Sequence, residues 1–173
     1  DVNDELNLNV AFTQSIARPS YYDLVPYEYS NSDDQELALG NPDLKSSLST
    51  NFDFMGEWYF GGLSLLSFGY FSKDIKDWIY QYTTNNYTYA GVEGYELSQL
   101  RNGEKATVTG FEVGFQTKFL KNFTFMGNYT STDSSTNNVE GRDDVPLTGQ
   151  VDDMYNLSLA FENSKFFVRA SMN

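Results

Sequence analysis

The chain has no cysteine and no histidine. That excludes disulfide frameworks, thiolate metal sites and nucleophilic or general-base chemistry through Cys or His. Proline is scarce, with only 4 residues, and 3 of them (Pro19, Pro26, Pro42) fall in one stretch. Basic residues are few: 11 Lys and Arg stand against 24 Asp and Glu, for a net charge of −13. A surface that acidic argues against binding nucleic-acid phosphates. No run approaches the 18 or so apolar residues of a membrane-crossing helix, and the mean hydropathy is −0.48. The opening Asp1-Val2-Asn3-Asp4-Glu5 has neither the basic region nor the apolar stretch of a signal peptide. The final Phe166-Phe167-Val168-Arg169-Ala170-Ser171-Met172-Asn173 reads as a strand cut short. The expectation is a piece of a longer protein.

What is present is alternation. In Leu48–Trp58, one face carries Leu48, Phe52, Phe54 and Trp58, and the other carries Ser49, Asn51, Asp53 and Glu57. A period of two marks a strand with unlike faces. Six strands are expected in all, at about 5–16, 45–60 (the one just described), 63–82, 105–119, 123–132 and 154–162, with a truncated seventh after Asn163-Ser164. The third is irregular. Phe68 and Tyr70 share one phase while Phe71, Ile75 and Ile79 share the other, which predicts a bulge near Tyr70–Lys73.

Connections alternate between short and long. Gly61-Gly62 predicts a two-residue hairpin, and Leu120-Lys121-Asn122 another tight turn. Long polar loops are expected at about 18–44, 83–104 and 133–150, the first with prolines that exclude regular pairing. Aromatics bracket the short turns (Trp58, Tyr59, Phe60, Phe119, Phe123, Phe161), and Trp78, Tyr80 and Tyr82 cluster at the opposite ends. Short turns on one side, long loops on the other and two aromatic girdles describe an antiparallel transmembrane β-barrel. A strand there needs only about 9–11 residues, half of them apolar, so hydropathy averages miss it. A soluble β-sandwich with its apolar face inward would show the same alternation and remains the alternative.

Other signals are weaker. Gly61-Gly62 lacks the helix and spacing of a phosphate loop. Asp33-Asp34-Gln35-Glu36, Asp143-Asp144 and Asp152-Asp153 offer oxygen ligands for Ca²⁺ but lack EF-hand spacing, and read as solvated loops. The Asn-X-Ser/Thr triplets at Asn86, Asn122, Asn128 and Asn156 read as polar strand and rim positions. Asp53, Glu57 and Glu112 lie on polar strand faces, where a wet lumen is a better account than paired-carboxylate catalysis. No catalytic residue, metal site or cofactor is assigned. Tyr21, Tyr22, Tyr27 and Tyr29 crowd the first loop, and Tyr87 and Tyr89 the second. Tyrosine offers a large contact area with one hydrogen-bonding tip, which suits capture of a small polar ligand; packing of the loops against each other explains it equally well.

Five stretches, in order, resemble the barrel of TonB-dependent outer-membrane receptors. They are Ala17-Arg18-Pro19-Ser20-Tyr21-Tyr22-Asp23-Leu24-Val25-Pro26-Tyr27, Gly40-Asn41-Pro42-Asp43-Leu44-Lys45, the segment Tyr70–Ile79, the segment Asn102–Glu112, and Val145-Pro146-Leu147-Thr148-Gly149-Gln150 followed by Tyr155–Glu162. Ser46 stands where the family often has proline. The resemblance implies the late part of a 22-stranded barrel, about seven strands of which are here, with a separate plug domain in its lumen. It implies active import of a scarce solute such as a siderophore, oligosaccharide, cobalamin or peptide across the outer membrane of a Gram-negative bacterium. Implied partners are outer-membrane lipid, the receptor's own plug, the TonB–ExbB–ExbD complex acting through that plug, a small-molecule ligand and, in some such receptors, a surface lipoprotein. Within this frame Phe52, Phe54, Phe111, Phe115, Leu157 and Leu159 are expected to face lipid. An adhesion barrel without transport is the other outer-membrane reading.

Overall fold

The computed structural model describes residues 5–137, 139–140, 142 and 144–173. Asp1–Asp4 and Asp143 of the sequence motifs lie outside them. The described residues form eleven strands and one helical turn: β1 Leu6–Ala17, α1 Tyr21–Leu24, β2 Glu28–Asn31, β3 Glu36–Leu39, β4 Ser47–Phe60, β5 Ser64–Lys76, β6 Ile79–Tyr89, β7 Val92–Asn102, β8 Lys105–Phe119, β9 Phe123–Asn137, β10 Asp153–Glu162 and β11 Phe167–Met172. Seven strands make one open antiparallel sheet in the order β1-β4-β5-β8-β9-β10-β11. The strands of this wall follow one another in chain order, with β2–β3 and β6–β7 set aside in the connections, which is the up-and-down path that alternating short and long connections require.

The register sorts the wall into two faces. Phe12 lies opposite Phe52, and Val10 opposite Phe54. Phe54 in turn lies opposite Tyr70, Tyr70 opposite Phe111, and Val113 opposite Tyr129. Cross-strand partners share a face, so one side of the wall carries a continuous apolar band. Rings touch along it, with Phe12 and Phe52 centroids 6.3 Å apart, Phe111 and Tyr129 5.8 Å and Phe123 and Phe161 5.0 Å. Among the described residues no protein layer covers this band: Phe12 is 74% exposed, Phe68 46% and Leu159 45%. The sandwich alternative would bury these side chains against a second sheet.

Above the band the same face turns polar strand by strand: Ser72 and Asp74 follow Tyr70, Thr109 precedes Phe111, and Asp153 precedes Tyr155. The border slants. Ile16 and Leu48 are still apolar where their row reaches Lys76 and Lys105. A level border crossing tilted strands has this shape, as in a barrel wall.

Several expectations need correction. The β4–β5 ladder runs without interruption from Phe60↔Ser64 to Leu48↔Lys76, so no bulge occurs at Tyr70–Lys73. Phe71 and Ile75 simply point to the polar face, opposite Gly110 and Ala106, whose small size leaves room for them. The hairpin at Gly61 has three residues, 61–63, because Phe60 pairs with Ser64; Gly61 and Gly62 both take positive φ, 55° and 88°, which glycine adopts without strain. The expected third strand, 63–82, breaks at Asp77 (φ 52°) into β5 and β6.

The first two long loops are not irregular either. A second, four-stranded sheet has the order β2-β3-β7-β6 and is built from the first two loops. Pro26 and Pro42 lie just outside its strands β2 and β3, and Pro19 lies just past β1, so the prolines bound the pairing rather than forbid it. Trp78, Tyr80 and Tyr82 are at the base of this loop sheet and not on the wall. The aromatics at the upper border of the band are instead Tyr70, Tyr129 and Tyr155.

Candidate functional site: the loop sheet and the polar face of the wall

The loop sheet has its own small core. Leu37, Tyr95 and Leu97 are buried, with Leu39, Tyr82 and Tyr89 packed against them. Leu37 and Leu97 are directly opposite in a parallel ladder that joins the first loop to the second, Glu36↔Glu96 through Leu39↔Gln99. The helical turn α1 starts at a capping box, in which the Ser20 side chain accepts from the Asp23 N–H and the Asp23 carboxylate accepts from the Ser20 N–H at 2.9 Å.

The six candidate tyrosines are thereby divided. Tyr21 and Tyr22 stand out on α1, each 79% exposed, edge to face at 6.3 Å. Tyr29 on β2 and Tyr87 on β6 are exposed. Tyr27 packs on Gly40, where an added Cβ would come within 2.9 Å of the Tyr27 Cδ1. Tyr89 belongs to the loop core: its ring meets Tyr95 at 5.2 Å and its hydroxyl donates to Glu28. That bond to a carboxylate holds the Tyr89 pKa above 10.0, the usual tyrosine value. Tyr80 is also raised, first by burial and then by the nearby Glu140 carboxylate. Arg101 stacks over Tyr82 with its guanidinium carbon 3.5 Å from the ring centroid, which commits a cation of this region to an aromatic face.

A cleft of about 170 Å³ opens beside Tyr27, lined by Asp23, Gly40, Gln81, Ser98 and Gln99 among others. Its amides are engaged, Gln81 with Ser98 and Gln99 with the Gly40 carbonyl. Of the tyrosine candidates, Tyr27 alone is among its lining residues. Asp23 lies in the first of the sequence motifs. Gln81, Ser98 and Gln99 carry no local signal, because only the parallel β3–β7 pairing brings them beside α1.

The polar face of the wall carries Asp53, Glu57 and Glu112 along with Lys73. A groove of about 550 Å³ runs along it past Glu112, Gln116, Asn128 and Ser158, and a smaller one of about 260 Å³ is bordered by Asp53, Lys73 and Glu112. Near the loop edge the third loop bends over this face. Ser134 Oγ accepts from the Leu147 N–H at 2.9 Å, and Thr136 Oγ donates to the Val145 carbonyl at 2.7 Å. Among the described residues no three acidic side chains come close enough together to hold a metal ion.

The sequence profile of the family described as TonB dependent receptor-like, beta-barrel, matches residues 1–172. The chain belongs to this family. Solved structures agree on the fold. A ferric enterobactin receptor (PfeA) mutant from Pseudomonas aeruginosa superposes with a TM-score of 0.74 at 20% identity, over 99% of this chain and 26% of the receptor. The copper transporter OprC gives 0.73 at 14%, over 99% and 24%. The siderophore receptor PirA from Acinetobacter baumannii gives 0.65 at 20%, over 95% and 26%. The chain thus spans about a quarter of the length of these neighbours. No curated protein matches it in sequence.

The five sequence motifs fall where the wall meets its loops: Ala17–Tyr27 leaves β1, Gly40–Lys45 leads into β4, and Asn102–Glu112 turns the loop sheet back into β8.

Proposed function

We propose that this chain is part of the barrel of an outer-membrane receptor that imports a scarce solute into a Gram-negative bacterium. The apolar band carries this reading: Phe111 to Phe119 is nine residues inclusive, about the span a tilted strand needs to cross the hydrocarbon, and each strand between β1 and β11 pairs through ladders on both of its sides. Phe52, Phe54, Phe111, Phe115, Leu157 and Leu159 then face lipid. The tyrosines of the loop sheet and the cleft beside Tyr27 form the ligand-capturing surface. The solute belongs among siderophores, oligosaccharides, cobalamin and peptides. The receptor's plug fills the lumen against Glu112 and Asp53, and the TonB–ExbB–ExbD complex pulls on that plug to open a path. The role is transport rather than catalysis.

The test is genetic. Growth of the source bacterium is compared across a panel of sole nutrient and iron sources, with the receptor gene deleted or TonB deleted. Import predicts that the source lost with the receptor is also lost with TonB. A receptor deletion that abolishes attachment to a host or partner while every source still supports growth selects an adhesion barrel instead.

A further inference from the structure

We propose that the first two loops act as one rigid jaw, and that Asn102 is the positioning residue that seats this jaw on the wall. Two observations combine. The first is the union of the loops, whose β3–β7 ladder and shared core of Leu37, Tyr95 and Leu97 leave no line along which they separate. Opening the jaw between its halves would break backbone bonds and expose that core at once.

The second is the joint below it. Asn102 ends β7, and its side-chain amide holds three backbone groups from two other segments. Its Oδ1 accepts from the Lys45 N–H at 2.8 Å; its Nδ2 donates to the Lys45 carbonyl at 3.0 Å and to the Asp77 carbonyl at 2.7 Å. One acceptor facing an N–H and two donors facing carbonyls fix the amide in a single orientation. Lys45 leads into β4, and Asp77 is the left-handed residue between β5 and β6. One side chain therefore ties the end of the first loop to the start and the end of the second, where both meet the wall. Asp77 is further held by its N–H to the Glu104 carbonyl (3.1 Å) and by the Ser47 hydroxyl donating to its carbonyl (3.0 Å). Higher up, Asn41 Nδ2 donates to the Leu100 carbonyl at 2.9 Å and binds the first loop to β7.

The consequence for capture is geometric. Tyr27, Tyr29 and Tyr87 move together, so a ligand is not pinched between the first and second loops. It is held between this jaw and the rest of the receptor mouth, and the angle of the jaw is set at Asn102. The inference concerns motion and stands whether or not the receptor transports a solute.

The absence of cysteine from this stretch makes the test direct. In the intact receptor in lipid nanodiscs, nitroxides are placed in pairs at Ser32→Cys and Asn86→Cys, one in each loop, and at Ser32→Cys and Asp133→Cys, loop to wall. Pulsed electron resonance should give a narrow loop-to-loop distance in the unaltered receptor and in Asn102→Ala. The loop-to-wall distribution should widen at least twofold in Asn102→Ala. Asn102→Asp keeps the acceptor and loses both donors, and should fall between. A loop-to-loop distribution as broad as the loop-to-wall one overturns the rigid jaw. An unchanged loop-to-wall width in both Asn102 variants overturns the role of Asn102.

Discussion

The hydroxyl of Tyr89 on β6 donates to a carboxylate oxygen of Glu28 on β2, across the two outer edges of the loop sheet. The bond stabilises the protonated phenol and raises its pKa in the folded chain. The sign of the linkage follows. A group with a raised folded pKa contributes stability that is full below its unfolded value and is lost as the pH climbs through the folded value. The loop sheet should therefore hold its strength up to about pH 10 and loosen above it. Difference titration at 295 nm between the native chain and Tyr89→Phe should place this tyrosine above 10.0. Glu28→Gln should bring it down; an unmoved titration in Glu28→Gln would show that the carboxylate is not the cause.

Trp78 lies flat over Gly103 at the joint of jaw and wall. The Gly103 N–H donates to the Trp78 carbonyl at 2.7 Å, and a Cβ on Gly103 would fall onto the indole. Its ring nitrogen is buried without a hydrogen-bond partner among the described residues, so packing is what holds the indole there. Gly103→Ala should evict it at a cost of about 1–3 kcal/mol. In a Trp58→Phe background Trp78 is the remaining tryptophan of this stretch. Its emission should shift to the red and its iodide quenching should rise in Gly103→Ala.

Phe71 crosses the polar face above Gly110. A side chain at 110 would strike both the Phe71 ring and the Ser131 carbonyl oxygen. The ring can rotate away, but the carbonyl belongs to the β9 backbone. Gly110→Ala should therefore destabilise the wall by about 1–3 kcal/mol, and adding Phe71→Ala should restore only part of that. Urea unfolding of the refolded barrel in lipid vesicles measures both; full rescue would mean that the ring, not the carbonyl, sets the limit.

Leu37 is 1% exposed and Leu97 3%. Truncating Leu97 to alanine should remove about 2–5 kcal/mol from the loop sheet. The wall has no share in that core, so the loss should be local. Limited proteolysis should cut near 85–91 sooner while the melting of the barrel stays where it was.

The wall was legible because each of its strands has one apolar and one polar face, and a period of two records that in single residues. β8 begins and ends at Lys105 and Phe119, the limits its alternation predicts. Where the reading failed, the deciding partner was on another strand. Phe71 and Ile75 looked out of phase because their small partners, Gly110 and Ala106, lie more than thirty positions away. The loop sheet was missed for the same reason. β2 and β3 have four residues each, too few to show a period, and β3 pairs with β7 across the whole of β4, β5 and β6. Asn102 had no signal of its own, since its role depends on Lys45 and Asp77 arriving beside it.

The central claim is that the two faces of the wall meet lipid and lumen, and neighbours on one strand decide it. Phe115 points into the apolar band, opposite Leu66 and Gly127, while Gln116 points to the groove, opposite Leu65 and Met126. Phe115→Arg and Gln116→Arg are each introduced into the intact receptor, and unfolding free energies are measured in phospholipid vesicles. The account predicts a loss of about 2–4 kcal/mol for Phe115→Arg near the bilayer midplane and well under about 1 kcal/mol for Gln116→Arg. Equal losses at the two positions, or the larger loss at Gln116, would contradict it.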